Sequence, residues 1–426
     1  MKKNLKPFFE TAGVAVIGAS TNPGKLSHGI LKNLLQYGYG GGKYPVNPSA
    51  DEILGLRCYP SVLDVPDPVE LAVIVLPAMA IPQSLEDCGK RGIPAAIIIS
   101  GGFREVGEAG LKLEEECLRI AEKNRMHLVG PNCVGNMNLS SGLNTTFIQG
   151  MPIKGGIGFL SQSGAVWGGI VDHIANKQIG FSHFIGLGNE VDVNETDVIE
   201  YLEKDEATRV IAAYVESIRD GQHFMQACRR VSATKPIVIL KAGRSEAGNK
   251  AVSSHTGSLA GSSEAYAAAF KQAHAIEVFS VEDLLNVSQT LDLSPLPAGC
   301  RAAILTNAGG PAALASDGLE ENGFTLARLD AKKMQNLRPQ LNPAAQVDNP
   351  IDMLGGAEPR EYEAALHQVL ADEGVDLAVP ILVPQALVNP GQIAQAIAAE
   401  AEKSSKPVIA CFMGEESIGE ARRILH

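Results

Sequence analysis

Apolar residues along this chain come in short unbroken runs rather than in alternation with polar ones. Nearly every run ends in glycine, proline, serine or asparagine. In the first third these are GVAVIGAS, KYPVN, LAVIVLP, PAAIIIS and HLVGPN. A strand with one wet face alternates, whereas a strand that is apolar throughout is covered on both faces, as in a parallel sheet. Helical spacing fills the gaps, from about Ser27 to Tyr37, near 80–91 and over 108–124. The pattern therefore predicts an α/β fold of parallel sheets flanked by helices.

The same device recurs. GGIGFLSQSG opens a second unit near Met151 with a buried strand, a small-residue turn and a helix running to about Asn176. VIAAYVES and KPIVILKAGR repeat the strand-to-loop step. SPLPAGC reads as a linker because its prolines and glycine break both helix and strand. RAAILTNAGGP then starts a third unit that continues through VDLAVPILVP and KPVIACFMG. The expected domains are 1–148, 149–296 and 297–426. The last helix stops at RRILH without a capping glycine or a closing strand, so the third domain is expected to be truncated at its C-terminus.

Composition narrows the function. A formal net charge of −12 is the wrong sign for nucleic acid, which requires a basic footprint. An acidic protein that binds phosphates must use local devices such as helix N-termini. Cys58, Cys88, Cys117, Cys133, Cys228, Cys300 and Cys411 are scattered singly, so neither a zinc site nor a disulfide framework is expected. No other metal site is expected either. MKKNLKPFFE has no long apolar stretch behind its lysines, and runs such as AAIIIS are far too short to span a bilayer. A cytoplasmic protein without membrane contact is expected.

Three junctions could hold phosphate. GASTNPGKLSHG offers Gly18 for close backbone approach, the Ser20 hydroxyl and the Lys25 charge. By itself a glycine-rich loop after a strand is a weak signal. A nicotinamide site would place Asp or Glu at the end of the second strand, about 20 residues on. Here that strand ends in Asn47 and Pro48, with Asp51 and Glu52 lying beyond it, which disfavours a dehydrogenase. SQSG supplies Ser161, Ser163 and Gly164 at a second junction, and TNAGGP supplies Asn307, Gly309 and Gly310 at a third. A tight strand-to-helix turn explains each of these singly. Three in one chain is harder to dismiss.

The sharpest feature is KAGRSEAGNKAVSSHTGSLAGSSEAY, residues 241–266, which reads as a long small-residue loop around His255. Long loops inside compact domains are usually functional or disordered. A lone histidine is more often structural, yet this one has no apolar face to pack on. Neutral imidazole, with a reference pKa near 6.5, is a competent nucleophile at physiological pH. One ring nitrogen would attack phosphorus while the other donates to a carboxylate that fixes the tautomer. Glu216, at the end of VIAAYVES, is the candidate for that carboxylate.

Taken in order, GVAVIGAS with PGK, YPVNP, LGLRCYPSV, LAVIVLP, GPNCVG, GFLSQSGA, SSHTGSLAG and LTNAGGP resemble the α subunits of ADP-forming acetyl-CoA synthetases, in the succinyl-CoA synthetase superfamily. The resemblance implies an N-terminal Rossmann-like CoA-binding domain followed by two flavodoxin-like parallel-sheet domains. It implies that Gly18, Ser20, Pro23, Gly24 and Lys25 lie near the phosphates of CoA. Asn47, Pro48, Pro77, Ser100, Gly101 and Asn132 would line the rest of its path. His255 would carry the phosphoryl group with Glu216 as its partner. Ser161, Ser163 and Gly164 would hold the phosphate, and the TNAGGP helix with Asn307, Gly309 and Gly310 would be aimed at it. The implied reaction interconverts acyl-CoA, ADP and phosphate with a carboxylic acid, CoA and ATP, through an acyl phosphate and a phosphohistidine. No segment resembles an ATP-grasp domain. ADP or ATP with Mg²⁺ is therefore expected on an ATP-grasp β subunit or a missing C-terminal domain, and an oligomer is expected from that need. The competing reading is a CoA- or acyl-CoA-binding sensor or scaffold of an acyltransferase-type relative, which the intact SSHTGSLAG disfavours.

Overall fold

The computed structural model describes residues 3–174, 178–256, 262–386 and 388–425, with the side chains of 172 and 253–256 outside that description. Two compact units result, Met1–Asp292 and Leu293–His426.

The first unit holds two large sheets and a small two-stranded one, Glu52–Ile53 with Leu56–Arg57. In the N-terminal one, five parallel strands lie in the order Gly42–Val46, Gly13–Ile17, Leu71–Ile74, Ala95–Ile98 and His127–Val129. Every residue of Gly13–Ile17, Leu71–Ile74 and Ala95–Ile98 is buried. Val14 and Val16 pack on one face and Ala15 and Ile17 on the other, which is why these runs do not alternate. Helices Leu26–Gln36, Ile81–Arg91 and Glu108–Lys123 cover the sheet where the periodicity predicts them.

The second sheet runs Ile276–Val278, Ile237–Lys241, Val210–Val215, Ile153–Ser161 and Gly180–Gly186, all parallel. Asn136–Asn138 and Leu143–Asn144 then join antiparallel at the edge. One apolar cluster joins the two sheets: Val14, Val16 and Ile97 of the first share it with Leu160, Ile185, Ile211 and Ala213 of the second. Phe9, near the N-terminus, packs edge-on against His183 with ring centroids 5.4 Å apart. That continuous core makes residues 1–292 one unit.

The C-terminal unit is built around Arg301–Thr306, flanked by Thr325–Leu326 and Leu377–Leu382, with Cys411–Phe412 outside the latter and Ile351–Asp352 also pairing with Arg301–Thr306. Its core includes Leu305, Tyr362, Leu366 and Ile393.

One expectation is corrected. The stretch 241–266 is not loop throughout, because helices Glu246–Thr256 and Ser263–Gln272 occupy much of it. The cause is local. Ser245 Oγ accepts from the Gly248 amide at 3.1 Å, Glu246 stands in the first turn, and Ser262 Oγ accepts from the Ala265 amide at the start of the second helix. Serines that read as loop residues are helix caps here. Residues 257–261, the GSLAG of the motif, lie outside the described residues.

Candidate functional site

The three larger sheets share one topological property. The first of the parallel strands in each lies inside the sheet, and the later parallel strands are laid down on one side of it and then the other. A crevice forms beyond the carboxyl ends of the strands where that order reverses, and ligands bind open α/β sheets there. In chain order these points are Ile17–Gly18, Ser161–Gly164 and Thr306–Gly309.

At the first point a cavity of about 340 Å³ opens, lined by Ile17, Gly18, Val46, Asn47, Pro48 and Leu76, with further residues from 60–62 and from helix Ile81–Arg91. Gly18 sits at φ +82°, and a Cβ there would stand 2.3 Å from the carbonyl oxygen of Val75, so the position requires glycine. Asn47 reaches across with Nδ2 and donates to the carbonyl of Ala19 at 2.7 Å. Ser20, Pro23, Gly24, Lys25 and Pro77 are not among the cavity's lining residues. Pro23, Gly24 and Lys25 are exposed where the loop enters helix Leu26–Gln36, and Pro77 is exposed after Leu71–Ile74. Ser100, Gly101 and Asn132 meet at the ends of two neighbouring strands, where the Asn132 amide donates to the Ser100 carbonyl at 3.0 Å. A Cβ on Gly101 would lie 3.3 Å from Asn132 Oδ1.

The second point is the most heavily engineered by charge. Ser161 Oγ donates to the carbonyl of Ser163 at 2.8 Å and accepts from its amide at 3.1 Å, closing a tight turn. Gly164 then starts helix Gly164–Ile174, which is anchored by the buried Trp167 edge-on to Phe184. The helix N-terminus therefore points free amides at the crevice. In register, Ser161 pairs with Tyr214 and Val215 with Lys241, so Glu216 lies beside the turn and Lys241 one strand further on.

Gln162 ties the site together, and sequence reasoning missed it. Its Oε1 accepts from the amides of Glu216 and Ser217 at 2.5 and 3.0 Å. Its Nε2 donates to the Ser217 carbonyl and to Glu190 Oε2, both at 2.8 Å. Glu190 is buried, and burial together with the nearby Glu195 holds its carboxyl well above the usual range. Lys241 was missed too. It is buried, lies 4.5 Å from the Tyr266 ring centroid, and donates to the Ala242 carbonyl at 2.5 Å. Burial lowers its pKa, while the carboxylate of Glu216 works in the opposite direction. Burial, with Glu216 adding to it, also pushes the Tyr214 hydroxyl up to about 12. Neither Gln162 nor Lys241 carried a sequence signal beyond its place at a strand end.

His255 falls on helix Glu246–Thr256, which follows the strand bearing Lys241, while its side chain lies outside the described residues.

The third point repeats the turn of the second. Thr306 Oγ1 donates to the Ala308 carbonyl at 2.9 Å and accepts from its amide at 3.0 Å. Asn307 spends its side chain on the backbone, donating to the Val383 carbonyl at 2.9 Å and accepting from the Val383 amide at 2.8 Å. Its role is to hold two strand ends together. Gly309 and Gly310 open helix Gly309–Glu321 and leave its first amides for an anion.

Comparison with known proteins agrees with this layout. Residues 12–138 match the CoA binding domain, 154–291 the succinyl-CoA ligase like flavodoxin domain, and 302–426 the Ligase-CoA domain. The chain is 42% identical over 425 residues to the α subunit of acetate–CoA ligase (ADP-forming) II of Pyrococcus furiosus, covering 99% of this chain and 92% of the relative. It is 43% identical over 421 residues to acetate–CoA ligase (ADP-forming) I of Archaeoglobus fulgidus, covering 99% of this chain but 60% of that longer protein. Among solved structures, the acetyl-coenzyme A synthetase 1 of Ca. Korarchaeum cryptofilum, in complex with phosphate and ADP, superimposes with a TM-score of 0.94 at 37% identity, covering 98% of this chain and 90% of that one. Three junctions of one design, matched in order by three domain families and by full-length relatives, place the chain in the family of ADP-forming acetate–CoA ligase α subunits.

Proposed function

We propose that the chain is the CoA-binding, phosphohistidine-carrying subunit of an NDP-forming acid–CoA ligase, with His255 as the phosphoryl carrier. The single observation that carries this reading is the second crevice. There a helix N-terminus, the Ser161–Gly164 turn and the buried Glu216 stand at adjoining strand ends, and the next strand ends in the buried Lys241 and leads into the helix bearing His255. Phosphoryl transfer needs mainly positioning and charge stabilisation, which such an array supplies.

Phosphate first displaces CoA from the acyl-CoA, forming an acyl phosphate and the free thiol. An imidazole nitrogen of His255 then attacks phosphorus, the bond to the acyl oxygen breaks, and the carboxylate leaves. ADP takes the phosphoryl group from phosphohistidine to give ATP, and each step runs in either direction. Glu216 accepts a hydrogen bond from the second ring nitrogen and offsets the imidazolium charge that develops. Ser161, Ser163 and Gly164 cradle the phosphoryl oxygens. Gly18, Asn47 and Pro48 belong to the CoA site of the first sheet, Ser20, Pro23, Gly24 and Lys25 to its phosphate side, and Pro77, Ser100, Gly101 and Asn132 to the path along the strand ends. ADP and its Mg²⁺ bind an ATP-grasp partner, in keeping with the relatives named as α subunits. The acid is not set by the family, since relatives at 37% identity include a 4-hydroxybutyrate–CoA ligase of Nitrosopumilus maritimus. Among the described residues no helix is long and apolar enough to cross a membrane.

The test is incubation with radiolabelled ATP, Mg²⁺ and an ATP-grasp partner. Acid-labile, base-stable label that is absent from His255→Ala supports the reading. Equal labelling of that variant overturns it.

A further inference from the structure

One buried carboxyl at the second junction has no place in the transfer steps proposed above. Glu190 is 5% exposed and stands in the loop that follows strand Gly180–Gly186. Its backbone sits at φ +54°, a left-handed conformation that is strained for any residue with a side chain. Such strain persists where the surroundings over-determine it, and here they do. On either side of Glu190, the Asn189 and Val191 amides donate to the carbonyls of Pro131 and Gly130 at 2.9 and 3.1 Å. Asn189 Nδ2 donates to Glu105 Oε2 at 2.8 Å, and Arg219 Nη2 donates to the Asn189 carbonyl, also at 2.8 Å.

The backbone so held brings the Glu190 carboxyl to Gln162. Glu190 Oε2 accepts from Gln162 Nε2 at 2.8 Å, and Oε1 finds no N–H or hydroxyl donor among the described residues. The carboxyl of Glu195, itself 2% exposed, hydrogen-bonds to that of Glu190. Two buried carboxyls in contact cannot both ionise, so they hold one proton between them. Glu195 accepts from the Thr196 hydroxyl at 3.1 Å and from its own amide, in the first turn of helix Glu195–Leu202, where negative charge is favoured. The proton therefore sits on Glu190, a neutral acid that donates to Glu195 and accepts from Gln162. Gln162 gives its remaining bonds to the Glu216 and Ser217 amides and the Ser217 carbonyl, so all four are made. Ionisable groups bear on the acid pair from each neighbouring element. Asp197 lies on the helix of Glu195, Cys228 on helix Gly221–Val231 and Tyr266 on helix Ser263–Gln272. Arg219 lies at the Asn189 carbonyl, and Glu216 is on the far side of Gln162. Burial pushes the Cys228 thiol up to about 12 and raises the Tyr266 hydroxyl, so neither ionises near neutral pH.

We infer that Glu190 is a positioning residue for phosphoryl transfer, acting through Gln162 to hold Glu216 in place, a role that rests on the reading of His255 as the phosphoryl carrier. Without Glu190, one N–H of Gln162 is left buried and unpaired, and the amide that fixes the backbone of Glu216 and Ser217 loses its support.

The test is rapid-quench phosphorylation of the full chain with an ATP-grasp partner, radiolabelled ATP and Mg²⁺, compared across pH for the parent, Glu190→Gln and Glu190→Ala. Glu190→Ala should slow phosphoenzyme formation about tenfold, the weight of one hydrogen bond lost from Gln162. Glu190→Gln should recover most of that loss, since its amide donates to Glu195 and accepts from Gln162. The parent rate should fall at alkaline pH, where the ionised pair repels and Glu190 is drawn off Gln162. Glu190→Gln has no proton to lose there and should hold its rate further into that range. A merely structural role would lower the urea midpoint of the variants without moving the pH profile. Parental rates in Glu190→Ala, or the same alkaline fall in Glu190→Gln as in the parent, overturn the positioning role and leave His255 standing as the carrier. Where Glu190→Ala does not fold, the pH comparison of Glu190→Gln with the parent decides alone. Failure of the parent chain to take any label overturns the reading of His255 as well.

Discussion

The turns Ser161–Gly164 and Thr306–Gly309 are the same object built twice. In each, a hydroxyl at the strand end bonds both the carbonyl and the amide two residues on. In each, the next residue is an amide side chain that bonds the end of a neighbouring strand, and a helix follows at once. Their surroundings differ. Gln162 reaches a strand end that carries Glu216, with Lys241 one strand further on and Glu190 behind. Asn307 reaches Val383, and its bonds end there. The turn is thus a generic anion-ready scaffold, and the chemistry is supplied by what the adjacent strands deliver to it.

The largest expected effect removes that chemistry and leaves both turns intact. His255→Ala should abolish phosphoenzyme and lower turnover by roughly 10⁶-fold, the scale for loss of a covalent nucleophile. Rapid-quench measurement of label incorporation reads this, and residual turnover within tenfold of the parent would contradict it.

Next comes the partner. Glu216→Gln should slow phosphorylation by roughly 10²–10³-fold with CoA affinity unchanged, because a neutral amide cannot offset a developing imidazolium. A fall in CoA affinity instead would assign Glu216 to the wrong site.

The sharpest test of the comparison sets Gln162→Ala against Asn307→Ala. Each leaves buried backbone groups without partners, at about 1–3 kcal/mol apiece, so both should lower the urea midpoint. The Gln162 variant should in addition slow phosphoenzyme formation, since it releases the segment that holds Glu216. Matched loss of rate in the two variants would erase the proposed difference between the turns.

The smallest effect is on pH. The raised pKa of Glu190 means that the folded chain keeps a proton which the unfolded chain gives up above about pH 4.3. Stability contributed by that protonated group is present at low pH and lost as pH rises. Glu190→Gln should therefore flatten the decline in urea midpoint as pH rises above about 4.3. An unchanged slope would place the titration elsewhere.

Much of this was legible without coordinates. The unbroken runs at Gly13–Ile17 and Leu71–Ile74 announce strands covered on both faces, and Ser161, Thr306 and Gly18 stand where runs end in turn residues. His255 stood out by its small neighbours. What misled was 241–266, because serines that look like loop filler act as caps at Ser245 and Ser262. Whether a serine caps a helix or decorates a loop depends on which amide lies within reach, and composition does not record that.

The linear chain alone determined the strand-and-helix alternation, the three repeated junctions and the identity of the nucleophile candidate, since periodicity and turn chemistry are local. Tertiary structure decided that Gln162 braces Glu216 and that Lys241 is buried at the neighbouring strand end. Those relations join residues far apart in sequence through strand order and register. They exist only once a shared core has fixed which strand ends meet.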